Sequence, residues 1–270
     1  NVSEICSGYN FGITGTSYIG MPKSNTVMYV TKKVQYLLNT LYRVKECLVY
    51  AEEGIIIPNE ITHKNAIILS VNPQLDFARF VHRLSVLRES DEQNLNYILT
   101  ENGYYISENA KIGNNVKIEP GCVIGHGVTI GDNSMILSGC IIRHAIIGEN
   151  FLCNEHAVIG SSSFTMAIDE NGNKYRIPSM GSVHIGKNVE IGANDNIACG
   201  SCGDTVLEDY VKLDALVHIG HDVHLKKNVE ITAGVTIAGF VQVDEGAYIG
   251  VGAAVRNRIS IGKNCIIGMG

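Results

Sequence analysis

Positive charge is scarce in this 270-residue chain: 21 Lys and Arg stand against 27 Asp and Glu, a formal charge of −6. Tight nucleic-acid binding needs a clustered positive field. Only the isolated pairs Lys32-Lys33 and Lys226-Lys227 occur, so no nucleic-acid partner is expected. Long apolar runs are missing as well. None reaches the roughly 18–20 residues that a membrane span requires, and 45% hydrophobic residues point to a soluble, core-forming chain. The eight cysteines lack a metal-site or disulfide pattern. Cys122, Cys140 and Cys265 each fall four residues after Ile118, Ile136 and Ile261, in a slot shared with Val116, Val128, Val189 and Val229. In such a slot a cysteine acts as a small buried hydrophobe. Cys199 and Cys202 form one CxxC without the second pair of a structural zinc site. No metal is expected, and the expected compartment is a reducing cytoplasm.

What the chain does have is a repeat. Ile106, Ile112, Ile118, Ile124, Ile130, Ile136 and Ile142 are spaced by six, and after a one-residue deletion the series resumes at Ile147, Cys153 and Ile159. A repeat-free stretch, Gly160 to Ser182, follows. Ile185, Ile191 and Ile197 come next, and a final series then runs from Leu207 through Leu213, Ile219, Leu225, Ile231, Ile237, Val243, Ile249, Val255 and Ile261 to Ile267. Period six fits neither the 3.6 of a helix nor the 2 of a simple strand. It fits a short strand plus a corner, with one side chain per strand buried on an axis. Glycine often follows the aliphatic residue, as at Gly113, Gly125 and Gly220, where a tight corner favours it. Three hexads make a triangular coil of about 18 residues, so residues one coil apart stack about 4.8 Å apart.

Residues 1–103 read differently. Apolar runs at Thr26–Val30, Cys47–Ala51 and Ala66–Val71 predict strands. Gln35–Val44 and Leu75–Leu87 predict amphipathic helices, the second after the start signal Asn72-Pro73. The expected division is an α/β domain over 1–103 and a repeat domain over 104–270, with Tyr97–Tyr105 leading into the first coil. The glycine-rich Gly12-x-x-Gly15-x-x-x-x-Gly20 lacks the Gly-Lys-Ser/Thr of a phosphate loop.

A repeat rod is a scaffold by default, and a polar interruption argues for chemistry. The interruption here is Lys212-Leu213-Asp214-Ala215-Leu216-Val217-His218-Ile219-Gly220-His221-Asp222-Val223. His221 falls two residues after an inward aliphatic, so its ring is expected to project outward from a corner, where a neutral imidazole can take a proton from an attacking amine. Gly239 lies eighteen residues on and is expected one coil above, where its bare backbone N–H can stabilise an oxyanion. His218, His221 and His224 also spell His-x-x-His-x-x-His. On hexad geometry, however, 218 and 224 occupy equivalent places on successive faces rather than one point, which argues against a metal cluster.

The Ile-Gly-x-x-Val-x hexads resemble those of the hexapeptide acyltransferases, and that resemblance implies a left-handed parallel β-helix with a small N-terminal α/β domain. Several segments are more specific: Val158-Ile159-Gly160-Ser161, Ile177-Pro178, Val189-Glu190-Ile191-Gly192-Ala193-Asn194, Gly203-Asp204-Thr205-Val206, Lys212–Val223 and Ile237-Ala238-Gly239, together with Asn72-Pro73-x-Leu75-x-Phe77-Ala78. They resemble the UDP-3-O-acylglucosamine N-acyltransferase family of lipid A synthesis. The resemblance implies that His221 is the general base, that Gly239 donates to the oxyanion, and that Asp214, His218, Phe164 and Asn194 contact the substrate.

Three departures from the family pattern stand out. Ala198-Cys199-Gly200 replaces the family's Asp-Arg-Gly, Arg256-Asn257-Arg258 stands where a second histidine is expected, and hexads continue to Gly270 where the family has carrier-docking helices. They point toward relatives similar to the anthrose-pathway N-acyltransferases, which use acyl-CoA and a dTDP-amino sugar. Arg256, Arg258 and Lys263, with Gly239, are then candidates for holding coenzyme A, and Tyr29, Tyr36 and Tyr42 for stacking the nucleobase. The expectation is an acyl-CoA-dependent N-acyltransferase for a nucleotide-linked amino sugar, with acyl-CoA as co-substrate, no tightly bound cofactor, and a homotrimer implied by the family. Three alternatives stay open: the lipid A enzyme with acyl carrier protein as donor, a hexapeptide O-acetyltransferase, and a non-catalytic β-helical scaffold.

Overall fold

The computed structural model describes residues 3–4, 10–92 and 94–270. The repeat region is a left-handed parallel β-helix whose strands of two to four residues stack into three sheets. One hexad supplies one strand and one corner, so each coil visits the three faces in turn. The first face carries Val123–Ile124, Ile141–Ile142, Val158–Ser161, Asn196–Ala198, His218–Ile219, Thr236–Ile237 and Ala254–Val255 in that order. Register follows the inward aliphatics, with Ile124 on Ile142, Ile197 on Ile219, and Ile219 on Ile237. Ile124, Ile136, Ile142, Ile219 and Ile237 are fully buried in one continuous core. Burying such a side chain stabilises by about 1.5–3 kcal/mol relative to exposure, so the column of inward residues holds the coils together.

Polar backbone groups are satisfied coil to coil, as in Gly220 N–H to Ile237 O at 2.8 Å and His218 N–H to Val235 O at 2.9 Å. The one-residue deletion is absorbed at a corner. His144 takes φ +47, and Ile130 still pairs with Ile147. The strand Tyr97–Leu99 pairs antiparallel with Tyr105–Ser107, closing the first-face sheet at the start of the helix.

The repeat-free stretch is not an unstructured loop. It holds an antiparallel hairpin, Met166–Ile168 against Lys174–Arg176. The chain divides into two compact units, but not at residue 103. One unit runs to Arg88 and includes Phe164–Gly181 and Ser201–Gly203, while the other holds Glu89–Ser163, Ser182–Gly200 and Asp204–Gly270. The physical reason lies in the first unit's own core: Ala167 and Ile177 of the excursion are buried with Leu75, Phe77 and Val81.

That first unit is an α/β fold. Its sheet order is Ser3–Glu4, Ala66–Ser70, Leu48–Glu52, Thr26–Val30, Gly15–Thr16, parallel except at the Ser3–Glu4 edge. Alternate residues of Thr26–Val30 serve two cores, Met28 and Val30 on one side and Val27 on the other, as expected of a strand covered on both faces. The predicted helix at Gln35–Val44 is a 3-10 segment, Lys32–Arg43, kinked at Val34. The second helix is longer than expected, Pro73–Glu92. Asn72 caps it, its Oδ1 accepting the Leu75 N–H at 3.2 Å, and its Nδ2 donates to Ile168 O at 2.9 Å.

Candidate active site

The corner between the first and second faces is built from Ile219-Gly220-His221-Asp222-Val223. Ile219 and Val223 are anchored inside, so the three residues between them, Gly220, His221 and Asp222, make the corner. His221 Nδ1 lies 2.8 Å from Asp222 Oδ2, and both side chains are largely covered, at 16% and 4% exposure. The carboxylate can only accept, so Nδ1 carries the proton and Nε2 keeps the lone pair. Asp222 is itself fixed, its backbone N–H donating to Thr205 Oγ1 at 2.9 Å. Phe240 meets the imidazole edge-on, with centroids 5.0 Å apart and planes at 90°.

Gly239 stacks where hexad spacing places it. A Cβ added there would fall 2.6 Å from both Cε1 and Nε2 of His221. Only a residue without a side chain allows this approach, and it sets the Gly239 backbone over the reactive edge of the ring. The Gly239 N–H donates no hydrogen bond among the described residues. Left-handed backbone recurs at corners along the whole helix, and on this corner it is held by Asp222 at φ +57, Phe240 at φ +63 and Arg258 at φ +60.

The other expected residues distribute unevenly. His218 projects from the first face of the same coil, and its imidazole is pushed below its ordinary pKa by burial, with His221 adding to the effect. Asn194 and Asp214 lie at the preceding corner, between the third and first faces. Asn194 takes φ +60, and Asp214 Oδ1 accepts the Ala215 N–H at 2.7 Å. A groove of about 560 Å³ runs past Asp214, with Asn154, Glu190, Ala193, Glu230 and Thr232 among its walls. Phe164 belongs to the other compact unit, where it is 80% exposed and Arg176 lies over its ring at 5.5 Å.

The three basic candidates for coenzyme contact do not converge. Arg256 and Arg258 share the His221 corner one coil above Gly239, with the Arg258 N–H donating to Gly239 O at 3.2 Å and its guanidinium over Phe240 at 4.5 Å. Lys263 sits on a different corner, between the second and third faces, and its ammonium binds Glu245 at 2.8 Å. Tyr29 packs on Phe77 at 5.1 Å, whereas Tyr36 is 70% exposed. His224 is on the second face and bonds Glu208 at 2.7 Å. No group of three or more His, Cys, Asp or Glu able to hold a metal occurs among the described residues.

Sequence reasoning missed Asp222 and Thr205, which orient His221. It also missed Asp195, which occupies the slot four after Ile191, a slot that takes only valine or alanine from Val211 through Ala253. This carboxylate is 1% exposed and accepts N–H groups from Gly192 at 2.8 Å and Val217 at 2.7 Å. Burial pushes its pKa up to about 7, against those two donors, with Asp214 adding to the rise. A charged side-chain type in a register otherwise held by uncharged residues was the available signal.

The model of the family described as bacterial transferase hexapeptide (six repeats) matches residues 109–144 and 204–239. The second segment contains Thr205 and His221 and ends at Gly239. UDP-3-O-acylglucosamine N-acyltransferase 2 of Legionella pneumophila (strain Paris) is 48% identical over 99 residues, 37% of this chain and 29% of that protein. The UDP-3-O-acylglucosamine N-acyltransferase of Janthinobacterium sp. (strain Marseille) is 38% identical over 124 residues, 46% of this chain and 35% of that one. The chain thus spans about a third of the length of the curated relatives it matches. Among solved structures, the UDP-N-acetylglucosamine acyltransferase of Campylobacter jejuni superposes with a TM-score of 0.54 at 26% identity, covering 62% of this chain and 63% of that one. The Francisella novicida enzyme of the same name gives 0.54 at 25%, covering 63% and 62%. With the repeat, the coil geometry and these matches together, the chain is a left-handed hexapeptide-repeat β-helix protein related over part of its length to the UDP-3-O-acylglucosamine N-acyltransferases and the UDP-N-acetylglucosamine acyltransferases.

Proposed function

We propose that the protein is an N-acyltransferase that moves an acyl group from a thioester to the amino group of a nucleotide-linked amino sugar. The observation that carries this reading is Gly239 lying over the Cε1–Nε2 edge of an imidazole whose Nδ1 is held by Asp222. The acceptor amine attacks the thioester carbonyl carbon, and a C–N bond forms. His221 Nε2 takes the proton that the nitrogen sheds. The carbonyl oxygen becomes an oxyanion, to which the Gly239 N–H donates. Collapse breaks the C–S bond, and the imidazolium returns its proton to the departing thiolate. Base, donor and leaving-group acid are then one imidazole and one backbone amide.

The names of the relatives favour UDP-3-O-acylglucosamine as acceptor, and this first reading takes an acyl carrier protein thioester as donor. A second reading, acyl-CoA as donor and an amino sugar such as dTDP-4-amino-4,6-dideoxyglucose as acceptor, is favoured by Arg256 and Arg258, which put cationic side chains one coil above Gly239. A homotrimer in the cytoplasm fits either. The test is thiol release with acyl carrier protein thioesters and acyl-CoAs against a panel of UDP- and dTDP-amino sugars. Turnover with carrier protein and the UDP sugar supports the first reading, and turnover with acyl-CoA supports the second. Release with no pair overturns the proposal.

A further inference from the structure

We propose a second ligand site on the same corner of the β-helix, four coils before His221, that binds a phosphoryl group. It is a cavity of about 210 Å³ lined by Tyr97, His126, Arg143 and His144. The inference stands apart from acyl transfer and does not depend on it.

The site is built by stacking. On three successive coils of the first face, Ser107 and Arg143 directly follow the inward Ile106 and Ile142, and His126 falls two residues after Ile124. Ser107 is 1% exposed, and its hydroxyl donates to Asn109 Oδ1 at 2.8 Å. That oxygen also accepts the Gly127 N–H at 2.9 Å, which identifies it as the carbonyl end of the amide. Ser107 has one proton, already given to Asn109. Its contact with His126 Nδ1 at 2.5 Å therefore requires the imidazole to donate. The chain Gly127–Asn109–Ser107–His126 fixes the tautomer and leaves Nε2 as the ring's other functional atom. It also excludes a serine nucleophile, since Nδ1 bears a proton and cannot take one from Ser107. Tyr97 packs on the imidazole with centroids 4.7 Å apart, which holds the ring in place.

Arg143 supplies the charge. Glycines keep it clear on the corner. A Cβ on Gly125, one coil below, would sit 3.0 Å from Arg143 Cγ, and one on Gly160, above, would fall 1.8 Å from Arg143 O. The exposed guanidinium makes no ion pair or side-chain hydrogen bond among the described residues. In a chain of net charge −6, this cavity is lined by a permanent cation, two imidazoles and a phenol, with no carboxylate. A planar fork of N–H donors matches two oxygens of a tetrahedral anion, and Arg is favoured where that match is needed. The same charge excludes a metal ion. The volume suits a phosphate and the first atoms of what carries it.

Inorganic phosphate is the probe, titrated into the full chain and followed by 31P line broadening and calorimetry. The expected result is one saturable site per chain. Arg143→Gln weakens it at least about ten-fold, and Arg143→Lys recovers part of the loss as a point charge without the fork. Lys111→Gln, a cation on the second face, leaves the affinity within about two-fold. Competition then identifies the source. Displacement by coenzyme A but not UDP assigns a coenzyme phosphate, displacement by UDP alone assigns the nucleotide, and displacement by neither assigns free phosphate or a simple monoester. The proposal is overturned if phosphate shows no saturable binding below about 10 mM, or if Arg143→Gln binds it as the wild type does.

Discussion

His126 and His221 hold the same register position on the same corner, each two residues after an inward isoleucine, and their surroundings differ in two ways. The Nδ1 of His221 faces a carboxylate, whereas that of His126 faces a hydroxyl already committed to Asn109. Above His221 the next coil offers a glycine against the ring, whereas above His126 it offers Arg143 and His144. A carboxylate partner stabilises the imidazolium that forms when Nε2 takes a proton, which suits a base. A neutral partner and a guanidinium give no such help, which suits holding an anion. One repeat position thus serves two chemistries, and residues one coil away decide which.

The sharpest way to break this comparison is to remove the base. His221→Ala should lower the rate of acyl transfer by about 10²- to 10⁴-fold, measured as thiol release at saturating substrates. Gly239→Ala should cost nearly as much, about 10²- to 10³-fold, because the added Cβ would fall 2.6 Å from Cε1 and Nε2 and displace the ring. An unchanged rate in Gly239→Ala would show that the close approach is irrelevant to turnover. Asp222→Asn makes the His221 site resemble the His126 site, with a neutral acceptor at Nδ1. It should lower kcat about ten-fold with KM unchanged, and an equal loss in KM instead would assign Asp222 to substrate binding.

The smallest expected effect is on stability. The folded pKa of Asp195, about 7, lies above its ordinary value of 3.8, so the folded state binds this proton more tightly than the unfolded chain. Its contribution is fully present below about pH 4 and is lost as pH rises through about 7. In thermal melts, Asp195→Asn should flatten the fall in Tm across that window, and an unaltered slope would assign the pH dependence elsewhere.

Much of the β-helix was legible because burial of one aliphatic per strand repeats without exception over long stretches, and the Gly239–His221 stack follows from the same arithmetic. Handedness came from resemblance, since period six is the same in either hand. The excursion was illegible for a physical reason: its hairpin packs with the first unit's core through Ala167 and Ile177 and has no period of its own. The Thr205–Asp222 contact lies inside the regular register, where Leu207 pairs with Leu225 eighteen residues on, and it stayed hidden because a hydroxyl accepting a backbone N–H from the next coil leaves no periodic mark. Grouping Lys263 with Arg256 and Arg258 overlooked the corner. Lys263 follows Ile261 on the second face, whereas the two arginines follow Val255 on the first. The paired histidine sites needed side-chain partners nineteen residues apart and one residue apart, which spacing alone does not single out.

The most direct test is the identity of the bond made. Wild-type protein is mixed in stoichiometric amount with an acyl thioester and a UDP-amino sugar carrying a 15N amine, and the product is read by mass spectrometry and 15N NMR. The account predicts acylation on the labelled nitrogen, with one free thiol per amide formed. Acyl transfer to a sugar hydroxyl, or hydrolysis of the thioester with the amine untouched, would contradict it.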